Sequence, residues 1–126
     1  MAEIREPAIK VILLPKDANS LGTIFGGAIL SHVDLAATVE ARRTGQLRFV
    51  TRAMNAVEFR QPVYVGDIVS FFAETIRVGR SSITVRVVVE ADRFCQGSEQ
   101  RVRVTEAEVV LVAVDEHGAK RAIREA

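Results

Sequence analysis

One apolar segment constrains the fold more than any other, because it has the pattern of a buried helix and carries a single acidic residue, Asp34, in its first three turns. Residues 19–43 open with turn-forming residues and pass through two adjacent glycines, Gly26 and Gly27. The segment then continues with apolar residues at the helical period. Its first three turns are apolar nearly all the way round, which is typical of a helix in a protein interior. We therefore predict a helix over about 26–44, with Gly45 as its C-terminal stop.

Asp34 is the one carboxylate in the first three, apolar turns of this helix, and no Lys or Arg lies within a helical turn of it. A buried carboxylate without a partner is costly, because burial disfavours the charged form. Two interpretations stay open. Either Asp34 faces water on a half-exposed helix, or it is a catalytic carboxylate in a cleft just beyond the helix N-terminus. In the second case, free N–H groups of Gly26, Gly27 and Ala28 are placed to polarise a carbonyl group.

The rest of the chain alternates with a period of two, which predicts strands. The expected strands cover 4–14, 47–59, 67–78, 82–93 and 101–115, separated by a loop at 15–23, a connection at 60–67, a tight turn at 79–81 and a loop at 94–100. No βαβ rhythm follows the helix, so we expect antiparallel hairpins or meanders. Strict alternation over 47–59 places Phe49, Thr51 and Phe59 on one face.

These elements predict one α+β domain over residues 1–126, with a polar tail at about 116–126. In this arrangement a curved antiparallel sheet wraps a long central helix. A helix that is apolar on every side needs more cover than one flat sheet provides. Either the sheet curls round it or a second subunit closes its open side, and both point to an oligomer.

Composition argues against several classes of function. The net charge is +1 with acidic and basic residues intermixed, which does not fit a nucleic-acid partner. No apolar run reaches the length of a membrane span, and the first residues lack the apolar core of a signal peptide. The lone Cys95 cannot form an internal disulfide, and the two His and one Cys lack metal-site spacing. We expect a cytoplasmic protein without a metal, another cofactor or a membrane partner.

The motifs together resemble those of the hotdog-fold acyl-CoA thioesterases, closest to the bacterial short-chain and the cytosolic brain-type acyl-CoA hydrolases. They are G-x-I-F-G-G at residues 22–27, then Asp34 after six intervening residues, then P-V-x-V-G-D at 62–67. The resemblance covers roughly residues 8–122. It implies a hotdog fold and the hydrolysis of acyl-CoA to a free acid and coenzyme A. It also implies dimers that pair their sheets edge to edge, hold the active sites at their interface and assemble further into hexamers, as trimers of dimers.

The resemblance further implies catalytic roles. Asp34 matches the catalytic carboxylate, which acts as general base on water or as nucleophile, and the Gly27 N–H, with Gly26, polarises the thioester carbonyl. Thr23 stands where many relatives have Asp or Asn. Because Thr can bind water but cannot act as a base, Asp34 would carry the proton transfer alone, with Asn19 as the candidate for the missing amide function.

Contacts with the rest of the substrate follow from its chemistry. Phe25 is either a contact for the pantetheine or acyl group or a plain core residue. Coenzyme A carries phosphates, which need cationic or polar partners. The candidates lie in the hairpin around the predicted turn at 79–81 and in the tail: Arg77, Arg80, Ser81, Ser82, Lys120 and Arg121.

Other functions remain open from sequence. A hotdog hydratase or dehydratase would use a His paired with an acidic residue, but His32 precedes Asp34 by two residues and lies on a different side of the helix, so the two are expected to face apart. A non-catalytic acyl-CoA-binding protein and a purely structural oligomer are the remaining alternatives, and the second leaves Asp34 unexplained.

Overall fold

The computed structural model describes residues 5–95 and 97–123, and it contains one long helix and five strands over these ranges. The elements are β1 (Ile9–Ile12), a 3-10 turn (Pro15–Asp17), α1 (Gly26–Ala41), β2 (Arg48–Phe59), β3 (Ile68–Val78), β4 (Ser82–Cys95) and β5 (Ser98–Val114). The expected loop at 94–100 is therefore mostly strand, because β4 and β5 continue their pairing almost to the turn. The outermost predicted residues, 1–4 and 124–126, lie outside the described ranges.

Two predicted boundaries are wrong for identifiable reasons. The first strand is four residues long, since Pro15 opens a 3-10 turn soon after it. The helix ends at Ala41 rather than at residue 44. The N–H groups of Arg43 and Thr44 donate three residues back instead of four, to Glu40 and Ala41. This tightening of the last turn satisfies the final carbonyl groups and ends the helix.

The strands form one antiparallel sheet in the order β1-β3-β4-β5-β2. β3, β4 and β5 are consecutive hairpin neighbours, as predicted, and β1 and β2 lie at the two edges. β2 pairs with β5 and not with β3, so the expectation that all four long strands follow one another as hairpins is wrong. Residues 60–67 therefore cross one end of the sheet from its β2 edge to β3. This crossing brings the connection against the beginning of α1.

The core lies between α1 and the sheet, since the helix packs against β2, β3, β4 and β5. Its sheet-facing residues are small or branched and fully buried: Ile29, Val33, Ala36, Ala37 and Ala41. Leu35 and Val39, on the opposite side, are 56% and 43% exposed. The α+β architecture is confirmed, but the expectation of a helix buried all round fails for a single subunit. The open side is apolar, as a surface covered in an oligomer would be.

β2 does not alternate strictly, contrary to the prediction. Its register against β5 shifts between Thr51 and Ala53 and again between Asn55 and Glu58. Within the second shift, Ala56 has a φ of 51°, a left-handed conformation that is uncommon for a residue with a side chain. An extra residue at each bulge changes which face the following side chains take. The side chains near the end of β2 therefore point to different faces from those predicted, and the Phe59 ring lies against Gly26.

Candidate active site

The loop before the helix is closed by Asn19 and Thr23. The Asn19 side-chain oxygen accepts hydrogen bonds from the N–H groups of Leu21 (2.8 Å) and Thr23 (3.2 Å). Its amide nitrogen donates to the Thr23 hydroxyl at 2.8 Å, and the Asn19 backbone N–H donates to the Thr23 carbonyl at 2.8 Å. Asn side chains commonly stabilise turns in this way. Within the subunit, both proposed polar residues of the loop are thus engaged with each other.

The first turn of α1 leaves two backbone N–H groups free. Phe25 is the N-cap residue, and its carbonyl accepts from the N–H groups of Ala28 (3.1 Å) and Ile29 (3.2 Å). Among the described residues, the N–H groups of Gly26 and Gly27 donate to no acceptor. Helix N-termini bind negative charge through such groups. The predicted set of three donors is therefore corrected to two, because Ala28 is already paired.

The two glycines have different surroundings. A Cβ atom on Gly26 would lie 3.3 Å from the tip of the Phe59 ring, a tight contact that a side chain would force the ring to relieve. A Cβ atom on Gly27 would meet nothing within 4 Å. Gly27 thus borders open space, which leaves room for a ligand to reach its N–H group.

A groove of about 310 Å³ opens at this end of the helix. One wall is the first turn of α1 with Ile24, and the other is the chain from Phe59 to Val63. Phe25, the neighbouring residue, is 52% exposed. It is therefore not a core residue of this subunit, and its contact with substrate stays a prediction.

Asp34 lies two turns further along α1 and is half-buried. The hydroxyl of Thr51, on β2, donates a hydrogen bond to Asp34 Oδ1. The carboxylate is thus neither free in solvent nor unpartnered, and both sequence-based interpretations of its surroundings were incomplete. Thr51 was not among the predicted site residues. The available signal was the β2 alternation, which put Thr51 on the same face as the buried Phe49.

His32 does not share this site. Its ring stacks on Phe71 with 5.5 Å between centroids, and its Nδ1 lies 2.9 Å from the Ala28 carbonyl oxygen. A hydrogen bond at that position requires the proton on Nδ1. The expectation that His32 and Asp34 face different directions is confirmed, so the His–acid pair of a hydratase is not formed between them.

The candidates for the coenzyme A phosphates lie at the other end of the sheet. The turn between β3 and β4 meets the C-terminal tail there, since the Ile123 N–H donates to the Arg80 carbonyl at 2.8 Å. The side chains of Arg77, Arg80, Lys120 and Arg121 are exposed, and those of Ser81 and Ser82 are half-buried.

Strand register gives the distance from these candidates to the groove. Phe59 pairs with Thr105 and Ser82 pairs with Val112, seven residues further along β5. That separation is about 23 Å at the usual rise of a strand. Within one subunit, the structure does not bring these candidates to the groove.

An ion pair between β4 and β5, outside the groove, shifts the pKa values of its two side chains. Arg101 donates two hydrogen bonds to Asp92, at 2.8 and 3.2 Å. This contact holds the pKa of Asp92 below its usual value and raises the pKa of Arg101. Ion pairs of this kind stabilise the fold only while the carboxyl group is ionised.

The described residues offer neither a metal-binding cluster nor a membrane-spanning helix. In residues 5–95 and 97–123, no three or more His, Cys, Asp or Glu side chains are grouped so as to hold a metal ion. Over the same residues, no helix has the length and apolarity needed to cross a membrane.

Comparison with known proteins places these features in a family. A family model described as the thioesterase superfamily matches residues 21–93. The Escherichia coli K12 acyl-CoA thioester hydrolase YciA is 32% identical over 116 residues, covering 91% of this chain and 88% of YciA. The chain belongs to the thioesterase superfamily.

Similar solved structures identify the fold. A hexameric hotdog-fold thioesterase of Campylobacter jejuni, Cj0915, matches with a TM-score of 0.91 and 42% identity, over 94% of this chain and 90% of that one. HI0827, a hexameric broad-specificity acyl-coenzyme A thioesterase, matches with a TM-score of 0.89 and 32% identity, over 99% and 85%. The hotdog fold inferred from the motifs is thereby confirmed.

Proposed function

We propose that the protein is a cytoplasmic enzyme that hydrolyses acyl-CoA thioesters to a free acid and coenzyme A. The observation that carries the proposal is that one helix holds both a partly buried carboxylate, bonded to Thr51, and two unpaired N–H groups at its N-terminus. Gly26 lines the groove, and Gly27 borders open space. The names of YciA and HI0827 support acyl-CoA as the substrate class. The single cysteine fits a reducing compartment.

The free N–H groups supply the electrostatic part of the reaction. Attack on a thioester carbonyl produces a negatively charged tetrahedral oxygen, and the N–H groups of Gly26 and Gly27 are placed to donate to it. Each such donor typically contributes about 3–4 kcal/mol to the transition state. Departure of coenzyme A as a thiolate needs no strong general acid, because a free thiol has a pKa of about 8.5.

The Asp34 carboxylate supplies the nucleophilic part. It either removes a proton from the attacking water or attacks the carbonyl itself, giving an anhydride that water then hydrolyses. Base catalysis of this kind typically contributes about 10²–10⁴-fold. The Thr51 hydroxyl fixes one carboxylate oxygen, so that the other is presented in a defined direction.

The spacing of these groups requires two subunits. Asp34 follows Gly27 by seven residues, which is about 10 Å along a helix. A carbonyl oxygen within about 3 Å of the Gly27 N–H cannot also bring its carbon to water held by the Asp34 of that same helix. We propose that Gly27 of one subunit faces Asp34 of another across the exposed helix side that carries Leu35 and Val39. The hexameric assembly of Cj0915 and HI0827 supports an oligomer of the same kind here.

Release of thiol from a panel of acyl-CoA substrates tests the proposal. The purified protein is mixed with saturated, branched and aromatic acyl-CoAs of increasing length, and free coenzyme A is measured with a thiol reagent. We expect turnover of at least one acyl class, with equimolar free acid. A protein that binds acyl-CoA but releases no thiol from any member would instead be a binding protein.

A further inference from the structure

A buried ion pair at the base of the groove wall has no part in the chemistry above. Asp67 ends the connection 60–67 and is only 5% exposed. Its Oδ2 accepts a hydrogen bond from the Tyr64 N–H at 2.9 Å and two more from the Arg93 guanidinium, at 3.0 and 3.3 Å. A buried carboxylate in this position depends on its partner, because removing one member of such a pair leaves an uncompensated charge.

Arg93 also contacts the first half of the same connection. Another hydrogen bond from its guanidinium reaches the Pro62 carbonyl oxygen at 3.0 Å. The guanidinium carbon lies 4.8 Å from the centre of the Tyr64 ring, within the range of a cation–π contact. One planar group therefore joins Pro62 to Asp67 and packs on Tyr64 between them. A lysine, with a single ammonium group, cannot reproduce that set of contacts.

The connection in turn positions the start of the helix. The Val63 carbonyl, next to Pro62, accepts the Ile24 N–H at 2.8 Å. An isolated β-bridge joins Thr23 to Tyr64 in the same stretch. Ile24 comes two residues before Gly26, where the free N–H groups begin. A shift of the 62–64 backbone would therefore move the N–H groups of Gly26 and Gly27 and change the width of the groove.

We propose that Arg93, through Asp67 and Pro62, is a positioning residue for the thioester site. It fixes the groove wall against the first turn of α1, so that the free N–H groups of Gly26 and Gly27 meet the thioester carbonyl. This inference rests on the proposed hydrolase function. Small misplacements at a reacting centre have large kinetic effects, and a shift of about 1 Å can cost about 100-fold in rate.

Two substitutions at this position and a matched control test the inference. Arg93→Met removes the guanidinium, and Arg93→Lys keeps the positive charge but loses the double contact. Arg101→Met removes another arginine–aspartate pair, Arg101–Asp92, which joins β5 to β4 and does not contact the connection 60–67. For each variant, kcat and KM are measured well below its unfolding temperature, and backbone hydrogen exchange is followed in peptides covering 19–27 and 60–67.

We expect Arg93→Met to lower kcat by about tenfold to 100-fold. Exchange should become faster in both peptides. Arg93→Lys should fold but rescue neither property, and Arg101→Met should match the wild type in both. An Arg93→Met protein with wild-type kcat, or with wild-type exchange in 19–27, would overturn the inference. A wild-type protein without hydrolytic activity would contradict the proposed function instead, while the exchange data would still decide whether Arg93 holds the helix start.

Discussion

Two inactive variants should restore activity to each other if the active site is shared between subunits. Asp34→Asn removes the carboxylate, and Gly27→Val places a branched side chain over the free N–H group. Because a Cβ atom at Gly27 meets nothing within 4 Å, the second variant should fold. Each variant alone has both sites of a symmetric dimer disabled.

The expected magnitude follows from the helix geometry. The two residues are about 10 Å apart on one helix, so in the proposed site Gly27 comes from one subunit and Asp34 from the other. In a mixed dimer, one site receives both wild-type groups and the other receives neither. With random pairing of equal amounts, half the dimers are mixed, which gives about a quarter of wild-type activity; purification that keeps only mixed dimers should raise this to about half.

The assay is co-expression of the two variants with different affinity tags, tandem purification and measurement of thiol release. Each variant expressed alone serves as the control, as does a mixture of the separately purified proteins assayed before subunits exchange. Activity of mixed oligomers no higher than that of the parent variants would refute the shared site. It would place the carboxylate and the amide donors within one subunit.

Three further predictions follow from single contacts. Thr51→Val removes a hydrogen bond to a charged group and should lower kcat by about tenfold to 100-fold. The control Thr38→Val, which loses only a bond to the backbone carbonyl of Asp34, should leave kcat unchanged. Arg101→Met should reduce the free energy of unfolding by about 0.5–1 kcal/mol at pH 7. Because the pKa of Asp92 is depressed in the folded protein, the difference in unfolding free energy between the wild type and this variant should disappear as the pH falls below about 4. Urea titrations above and below that pH would show this. Leu35→Lys should shift the assembly towards smaller species in light scattering, and an unchanged mass would mean that this helix side is not an interface.

The parts of the fold that depend on local patterns could be predicted from sequence. The helix begins at Gly26 as expected, since the Gly-Gly step and the apolar period mark it, and the tight turn before Ser82 separates two clearly alternating strands. The position of β2 could not be predicted, because alternation does not reveal which strand is the neighbour. The left-handed Ala56 within its second bulge has no local signature either.

The candidate site could be predicted from sequence only in its helix. A carboxylate in an apolar run makes Asp34 a candidate, and the Gly-Gly step predicts free N–H groups, of which the structure has two. Its partner Thr51 lies 17 residues away on another element, so only tertiary structure shows the contact. The engagement of Asn19 with its own loop was likewise hidden. Residue type alone did not indicate that the positive charges around Arg80 lie far from the groove.

The most direct test of the account compares two carboxylates on the same helix. Glu40, six residues beyond Asp34, also accepts a hydrogen bond from a threonine on a strand, with 3.1 Å to Thr75. Asp34→Asn and Glu40→Gln are therefore matched substitutions, and thiol release from the preferred acyl-CoA is measured for both after their oligomeric state is checked. The account predicts that Asp34→Asn abolishes turnover and that Glu40→Gln retains it. Near-wild-type turnover by a folded Asp34→Asn protein would contradict it.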